Sequence, residues 1–435
     1  MNAIMTVHGR HLRTRPKKIN PFLALSFTFL MAGAAQAIQP VINQFDMEDF
    51  STAASTHPWA QAPGDRHRLY LDVYNVTDFF DAETGGQVGF ADHTILADTI
   101  RPTATVLWDD RFRIQVGLIA EKAYGSQPGY DSVDPWLQLL WNPIKPLSVV
   151  FGDLDTPHYY LPAVFYPTNY FEQNFDPANV PKIPQLAALP SNYFTQSTNE
   201  TGAQVILKKP NIYDDLFFNY ENQDIPGRNE KFVLGFVHRN AFWRWLSFNY
   251  QAHWLHYGGQ FNPHPIETRN DVAQAVGLGA SCHPFDSESF SVGGRWSYLH
   301  SHLRQEATTP EMEIPTTNGH GRLLEAIARW GRLKLIYGSW RGSGYYHEGG
   351  DPMFILPVLR MATIRWDILL SRDFNLYFES TSYFIGNNDL GYSHDAQTAF
   401  HIQGSWQFSI PIMEWTSASA SPEGAPMPSR WDYGL

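Results

Sequence analysis

Residues 398–410 read TAFHIQGSWQFSI, and apolar and polar side chains alternate from Phe400 to Ile410. Successive side chains of a β-strand point to opposite faces, so the segment predicts a strand with one apolar and one polar face. A helix would spread the same residues around its circumference. The length suits a tilted strand across a bilayer, which needs roughly 9–11 residues, although an edge strand of a soluble sandwich is the alternative. The apolar positions are Phe400, Ile402, Gly404, Trp406, Phe408 and Ile410.

The chain begins with features of a secretory leader. Five cations (Arg10, Arg13, Arg15, Lys17 and Lys18) precede an apolar run at 21–31, and Ala35-Gln36-Ala37 matches the small-x-small cleavage pattern. The apolar run is too short for a transmembrane helix. We therefore predict a signal peptide at 1–37 and exclude it from the fold.

Composition excludes several classes of protein. The net charge of −12 becomes −17 once the five leader cations are removed, so nucleic acid is not an expected partner. A single cysteine, Cys282, rules out a disulfide framework. Aromatic residues make up 15% of the chain, and this richness without long apolar runs is typical of a lipid-facing barrel. No cofactor is indicated.

Alternation recurs along the chain and predicts about 16 strands, within a range of 14–18. In 111–122, for example, Phe112, Ile114 and Val116 oppose Arg113 and Gln115. The segment 323–328 can also be read as a short helix. The predicted strands are 67–79, 99–108, 111–122, 133–142, 146–155, 199–208, 213–222, 230–239, 243–256, 270–281, 288–301, 321–330, 331–341, 357–369, 372–384 and 396–410.

The connections between these strands alternate in length. Those after even-numbered strands are tight turns, and most of those after odd-numbered strands are long, the third of them (156–198) being the longest. Such asymmetry is typical of outer-membrane barrels. We therefore predict an all-β fold, a single transmembrane antiparallel up-and-down β-barrel with a long third extracellular loop. The predicted parts are a periplasmic lead-in or short plug (38–66), the barrel (67–410) and a flexible C-terminal tail (411–435).

From its leader, alternation, loop asymmetry and aromatic content, the chain resembles the outer-membrane β-barrel proteins of Gram-negative bacteria. The aromatic last strand resembles the C-terminal assembly signal of that class, although 27 residues follow Phe408. General diffusion porins are similar in strand number, and polysaccharide-export barrels are similar in size. The resemblance implies the bacterial outer membrane as location, outer-membrane lipid and the barrel-assembly machinery as partners, and a homotrimer as one possible assembly.

Strand parity and the third loop supply candidates for lining a pore or binding a ligand. Side chains of both charge signs face the expected lumen, and aromatic rings of the third loop offer stacking surfaces for sugars. Mutually paired wall charges and rings that pack the loop onto the wall are the alternatives. The candidates are Arg113, Gln115, Glu121, Asp153, Asp155, His158, Tyr159, Tyr160, His253, Arg295, Lys334, Arg365, Asp367 and Glu379.

Two groups raise the question of metal binding and catalysis. His347, Glu348 and Asp351 are weak candidates for a divalent cation, because oxygen ligands suit calcium, but their spacing does not match that of an EF-hand loop. Ser393, His394 and Asp395 are neighbours on an extended chain and point to different faces. We therefore predict no metal and no enzyme. The predicted function is a porin-like channel for small hydrophilic solutes such as saccharides, with an exopolysaccharide export barrel or an outer-membrane hydrolase as alternatives.

Overall fold

The computed structural model describes residues 66–83, 93–108, 111–124, 129–154, 161, 164, 200–209, 211–223, 230–243, 245–258, 266–282, 290–307, 314–350, 352–370, 374–385 and 396–416. The predicted leader, the lead-in up to residue 65 and the chain after 416 lie outside the described residues, as do Ser393, His394 and Asp395. Within the described part of the chain, no helix is long and apolar enough to cross a membrane.

The described residues form sixteen strands, as the alternation predicted, and a short 3₁₀ turn at Pro352–Ile355 lies between the thirteenth and the fourteenth. Every predicted strand overlaps one of them. They are β1 Arg66–Glu83, β2 His93–Trp108, β3 Phe112–Ala123, β4 Ser132–Ile144, β5 Leu147–Asp153, β6 Thr201–Lys209, β7 Ile212–Asn222, β8 Glu230–Trp243, β9 Leu246–Gly258, β10 Ile266–Cys282, β11 Phe290–Ala307, β12 Ile314–Trp330, β13 Leu333–Ser343, β14 Val358–Leu370, β15 Phe374–Ile385 and β16 Ala396–Thr416.

The strands close into one antiparallel barrel. Each strand pairs with its neighbours in sequence, and β1 pairs with β16 from Arg66↔Thr416 to Glu83↔Thr398. Closure leaves no sheet edge, so the backbone donors and acceptors of the wall are paired within the sheet. The start of β1 and the end of β16 lie at the same rim of the barrel, which we call the lower rim. We call the opposite rim the upper rim.

The two faces of the wall differ in chemistry. On β3, Phe112, Ile114 and Val116 are 37%, 40% and 53% exposed, whereas Arg113 and Gln115 are buried. Exposed tryptophans gather near the lower rim, as in the aromatic girdle of a membrane barrel; they are Trp108, Trp141, Trp243, Trp245, Trp330 and Trp366. A closed cylinder that is apolar outside and polar inside is an outer-membrane β-barrel. The predicted antiparallel barrel of 16 strands and its location in the bacterial outer membrane are confirmed, whereas the long third loop stays a prediction.

Several strands are longer than predicted, mainly toward the upper rim. β12 begins at Ile314, where alternation predicted 321, and β11 ends at Ala307 rather than 301. At the lower rim, β16 ends at Thr416 rather than 410. Above the lipid both faces of a strand can be polar, so residues such as Asn318 and His320 carry no apolar alternation. The segment 323–328 is strand and not helix.

The connection after β13 folds into the barrel. Residues 344–357, which we call the inner loop, place Phe354 and Leu356 against Trp340 on the inner wall, and each of these side chains is at most 2% exposed. The Trp340 indole donates a hydrogen bond to the carbonyl of Leu356 at 2.8 Å. A Cβ at Gly321 would lie 1.8 Å from the Trp340 ring, so that position requires glycine.

The third connection contributes two described residues to the same interior. Leu161 and Val164 are fully buried in the apolar cluster around Trp340, and the backbone N–H of Leu161 donates to Gln251 Oε1 at 2.6 Å. This part of the lumen near the upper rim is therefore packed with apolar side chains from two loops.

Candidate functional site

A chain of three titratable side chains joins the inner loop to the barrel wall. His347 of the inner loop lies with Nδ1 2.9 Å from Oδ1 of Asp271 on β10, and with Nε2 2.8 Å from Nδ1 of His253 on β9. All three side chains are buried. Alternation on β9 and β10 turns His253 and Asp271 inward, and the fold of the inner loop brings His347 between them.

Glu348, the next residue, makes a second set of contacts. Its carboxylate pairs with Arg269 on β10 at 3.0 Å and accepts a hydrogen bond from the hydroxyl of Tyr257 on β9. Its backbone N–H donates to Oδ2 of Asp271 at 2.7 Å. Arg269 also donates to Gln305 and to the Tyr346 hydroxyl, each at 3.1 Å. We call His253, Arg269, Asp271, His347 and Glu348 the buried network.

Charge in this region is balanced by pairing. Arg269 and Asp271 are fully buried, and Lys231 beside them pairs with Glu221 at 2.7 Å. Burying a charge is costly unless an opposite charge and hydrogen bonds compensate for it. Burial raises the pKa of Tyr345 and Tyr346 in the inner loop well above the usual range of a phenol, so both hydroxyls stay protonated.

The network can hold and pass a proton. Because a ring nitrogen of His253 faces one of His347 at 2.8 Å, one of the two donates a hydrogen and the other accepts it. The Asp271 carboxylate fixes the orientation of His347 and favours a proton on its Nδ1. An orienting carboxylate behind an imidazole is the arrangement of a general base.

A second polar group lies on the outer face, between β1 and β2. The Asp98 carboxylate accepts hydrogen bonds from Asn75 Nδ2 at 2.8 Å and from Thr77 Oγ1 at 2.7 Å. Their parity on the strands is that of the exposed Leu71 and Leu96, which face the lipid. This group contains no histidine, so it offers a weaker base than the buried network.

Most of the side chains predicted to line the lumen lie on the inner face of the wall. Arg365 lies 3.0 Å from Asp367 and 3.9 Å from Glu379, whereas Arg295 pairs with Glu325 at 2.5 Å, a residue outside the predicted set. Whether these residues line a conducting pore stays a prediction. The inner-face residues are Arg113, Gln115, Glu121, His253, Arg295, Lys334, Arg365, Asp367 and Glu379.

The remaining predicted residues have other positions or are not described. Asp153 follows Gly152, whose φ of 88° turns the chain, and its carboxylate accepts a hydrogen bond from the backbone N–H of Leu137. Asp155, His158, Tyr159 and Tyr160 lie outside the described residues.

The metal candidates His347 and Glu348 belong to the buried network, and Asp351 lies outside the described part of the chain. Among the described residues, no group of three or more His, Cys, Asp or Glu side chains could hold a metal ion. Sequence reasoning missed Asp271 and Arg269, although it singled out the polar inner loop. Asp271 and Arg269 are at least 76 residues away in sequence from their partners His347 and Glu348, so no local pattern joins them.

Comparison with known proteins gives one match to a family and several to solved structures. The model of the Lipid A 3'-O-deacylase-type family matches residues 61–362. No curated protein matches the chain.

The similar solved structures are bacterial outer-membrane proteins. OpdL of Pseudomonas aeruginosa has a TM-score of 0.44 and 12% identity, over 80% of this chain and 99% of that one. OprD of Pseudomonas aeruginosa has a TM-score of 0.45 and 10% identity, over 83% and 97%. A mutant of the Rh. blastica porin has a TM-score of 0.41 and 12% identity, over 78% and 100%.

The family match corrects one prediction from the sequence. The chain was predicted not to be an enzyme, and this is wrong, because the matching model describes a deacylase type. The prediction rested on the absence of contiguous catalytic motifs such as G-x-S-x-G and H-E-x-x-H from the sequence, and an active site assembled from separate segments leaves no such motif. With the match covering residues 61–362, well over half of the chain, this protein belongs to the Lipid A 3'-O-deacylase-type family.

Proposed function

We propose that this protein is an outer-membrane hydrolase that cleaves an acyl ester bond of a lipid, with an acylated glycolipid such as lipid A as the first substrate to test. The match of the deacylase-type family model to residues 61–362 is the observation that carries the proposal. The hydrolysis consumes one water and releases a fatty acid and an alcohol.

The buried network supplies the base for this reaction. In the proposed step the imidazole of His253 removes a proton from water, and the water oxygen attacks the ester carbonyl. His347 and Asp271 orient and stabilise the imidazolium that forms, through contacts of 2.8 and 2.9 Å. The same proton then goes to the departing alcohol oxygen, so the base is regenerated.

Substrate access requires movement of the inner loop. His253 is fully buried, and a Cβ at Gly349 of the inner loop would lie 2.7 Å from the His253 ring. Displacement of the loop uncovers both His253 and the neighbouring apolar cluster around Trp340 and Leu299. An acyl chain has an affinity for such a surface, because burial of each CH₂ group contributes about 0.8 kcal/mol.

The test compares release of fatty acid by the wild-type protein and by His253→Ala, His347→Ala and Asp271→Asn, on acylated glycolipid in detergent. Loss of a general base lowers the rate by about 10²- to 10⁴-fold. His238→Ala is the matched control, because His238 pairs with Asp214 at 2.5 Å on the outer face near the lower rim. A wild-type protein without esterase activity, or variants as active as the control, would overturn the proposal.

Transport of small hydrophilic solutes is a second candidate. It is favoured by the polar inner face of β2–β4, where Arg113 donates to Gln138 at 2.5 Å and Gln115 donates to Thr105 at 3.1 Å. In this alternative the third connection (156–198) narrows the lumen, and saccharides are the expected solutes. Single-channel recording in planar bilayers tests it: steady conductance supports a channel, and silence argues against one.

A further inference from the structure

Three arginines project from the outer face of adjacent strands. Arg322 on β12, Arg341 on β13 and Arg360 on β14 are exposed, whereas the residues beside them in sequence, Leu323, Trp340 and Leu359, are at most 1% exposed and face inward. The alternation of a strand therefore fixes the three guanidinium groups on the outside of the barrel. We call these residues the outer arginine patch.

The register of the strands brings the patch together. Arg322 is directly opposite Arg341, and Arg360 is opposite Ser339, two residues along β13 from Arg341. Directly opposite Cβ atoms lie about 4.5–5.5 Å apart and diagonal ones about 7–8 Å, so the flexible side chains can converge on one group. Like charges directly opposite each other are unfavourable unless an anion lies between them.

The patch lies at the upper boundary of the apolar belt. Arg322 is eight residues from Trp330, which is 73% exposed at the lower rim. With a rise of about 3.3 Å per residue and a tilt of about 40°, that separation is roughly 20 Å along the barrel axis, close to the height of the lipid-facing band, about 25 Å. Leu324 and Tyr337, 58% and 49% exposed, lie just below the patch.

Charge pairing distinguishes this patch from Arg304, an exposed arginine on the neighbouring strand β11. Among the described residues, Arg322, Arg341 and Arg360 form no ion pair, whereas Arg304 on the neighbouring strand β11 pairs with Glu306. An arginine fork recognises phosphate with two parallel hydrogen bonds. Three cations without a carboxylate, at the level where lipid headgroups begin, therefore complement a phosphorylated headgroup.

We propose that Arg322, Arg341 and Arg360 bind the phosphate monoester of a lipid headgroup at the outer wall of β12–β14, because a monoester carries more negative charge than the phosphodiester of a zwitterionic lipid. The site holds an intact lipid in the membrane plane, with the phosphate between the arginines and the acyl chains along Leu324 and Tyr337. It does not depend on the hydrolytic function proposed above, since its side chains face away from the buried network.

Binding of an ether-linked lipid tests this site separately from hydrolysis, because an ether lipid has no ester to cleave. The wild-type protein and the triple variant R322Q/R341Q/R360Q are placed in phosphatidylcholine nanodiscs. Native mass spectrometry then counts bound dialkylglycerol phosphate and bound dialkylglycerol, which lacks the phosphate. We expect the wild type to retain the phosphorylated lipid at least about tenfold better than the triple variant, and the unphosphorylated lipid equally poorly.

A control triple variant, R111Q/R304Q/R332Q, removes the same charge from exposed positions outside the patch. If it loses the lipid as much as R322Q/R341Q/R360Q does, binding reflects net charge and the proposal is overturned. Displacement of the lipid by millimolar inorganic phosphate alone would overturn the assignment to a lipid, since it would show a general anion site. Retention of the lipid by all three proteins would also overturn it.

Discussion

Near the upper rim, Arg269 on the inner face of the barrel wall has an ion-pair partner, whereas the arginines of the outer arginine patch have none among the described residues. Inside, Arg269 is fully buried and bound to Glu348, Gln305 and Tyr346. Outside, Arg322 and Arg341 face each other across two strands, and neither has an ion-pair partner among the described residues. A buried charge requires a partner because the interior has a low dielectric constant, whereas a charge at the membrane surface has water and headgroups nearby. Arg269 is thus an arginine that holds the fold, whereas the arginines of the outer arginine patch are available to a ligand.

Removing a cation from the inner face is expected to have the largest effect on stability. Arg269→Ala leaves the buried carboxylate of Glu348 without its cation, which costs about 3–5 kcal/mol in the free energy of unfolding. Arg304→Ala breaks an exposed Arg–Glu pair on the outer face and should cost about 0–1 kcal/mol. Urea unfolding in lipid vesicles, followed by tryptophan fluorescence, measures both. If Arg269→Ala and Arg304→Ala lowered the free energy of unfolding equally, the proposed difference between buried and exposed arginines would be wrong.

The packing of the inner loop against the wall can be disturbed without altering charge. Gly321→Ala places a methyl group 1.8 Å from the Trp340 ring, which has to move. Overpacking of this kind costs about 1–3 kcal/mol. Gly404→Ala on β16 is the control, because its Cβ would be 3.7 Å from Leu376, an ordinary contact. In the same unfolding experiment, we expect the free energy of unfolding to decrease for Gly321→Ala and to stay unchanged for Gly404→Ala.

Alkaline pH is expected to lower the free energy of unfolding through the buried Tyr345 of the inner loop. Burial, and then the charge of Asp271, raise the pKa of Tyr345 in the folded state above its value in the unfolded chain. The folded protein therefore keeps a proton that the unfolded chain loses, and this contribution to stability is complete below about pH 10 and decreases above it. The decrease is at most about 1.4 kcal/mol per pH unit. Tyr345→Phe should show a smaller decrease between pH 10 and 11 than the wild type in urea titrations, and equal slopes would contradict the argument.

Removing charge from the outer arginine patch should scarcely change stability. Arg322→Gln relieves a like-charge contact with Arg341, so we expect a change within about 0.5 kcal/mol, with any gain on the side of the variant. The free energy of unfolding is measured in vesicles of zwitterionic lipid, which contain no phosphate monoester that could bind the outer arginine patch. A loss above about 2 kcal/mol would mean that Arg322 has a structural partner, and that the two faces are less different than the pairing indicates.

The wall of the barrel was predictable because its signal is local. The alternation of Phe112, Ile114 and Val116 with Arg113 and Gln115 follows directly from one apolar and one polar side of a strand. The ends of the strands were less predictable, because above the lipid residues such as Asn318 have no apolar face to bury.

The candidate site was predictable only in part. His253 was placed inward by parity, and His347 was noticed in a polar loop, but neither observation indicates that the two rings meet at 2.8 Å. That contact depends on the inner loop turning into the lumen. The turn is stabilised by the packing of Trp340 and Phe354 against residues distant in the sequence, and no local pattern contains that information.

The pairing of β1 with β16 closes the barrel. All eighteen residues of β1 have a partner on β16, from Arg66 with Thr416 to Glu83 with Thr398. Until residues 396–416 arrive, β1 presents an unsatisfied row of backbone amides and carbonyls, which lipid tolerates poorly. Insertion into the membrane can therefore be complete only when the last strand has paired with the first along its whole length.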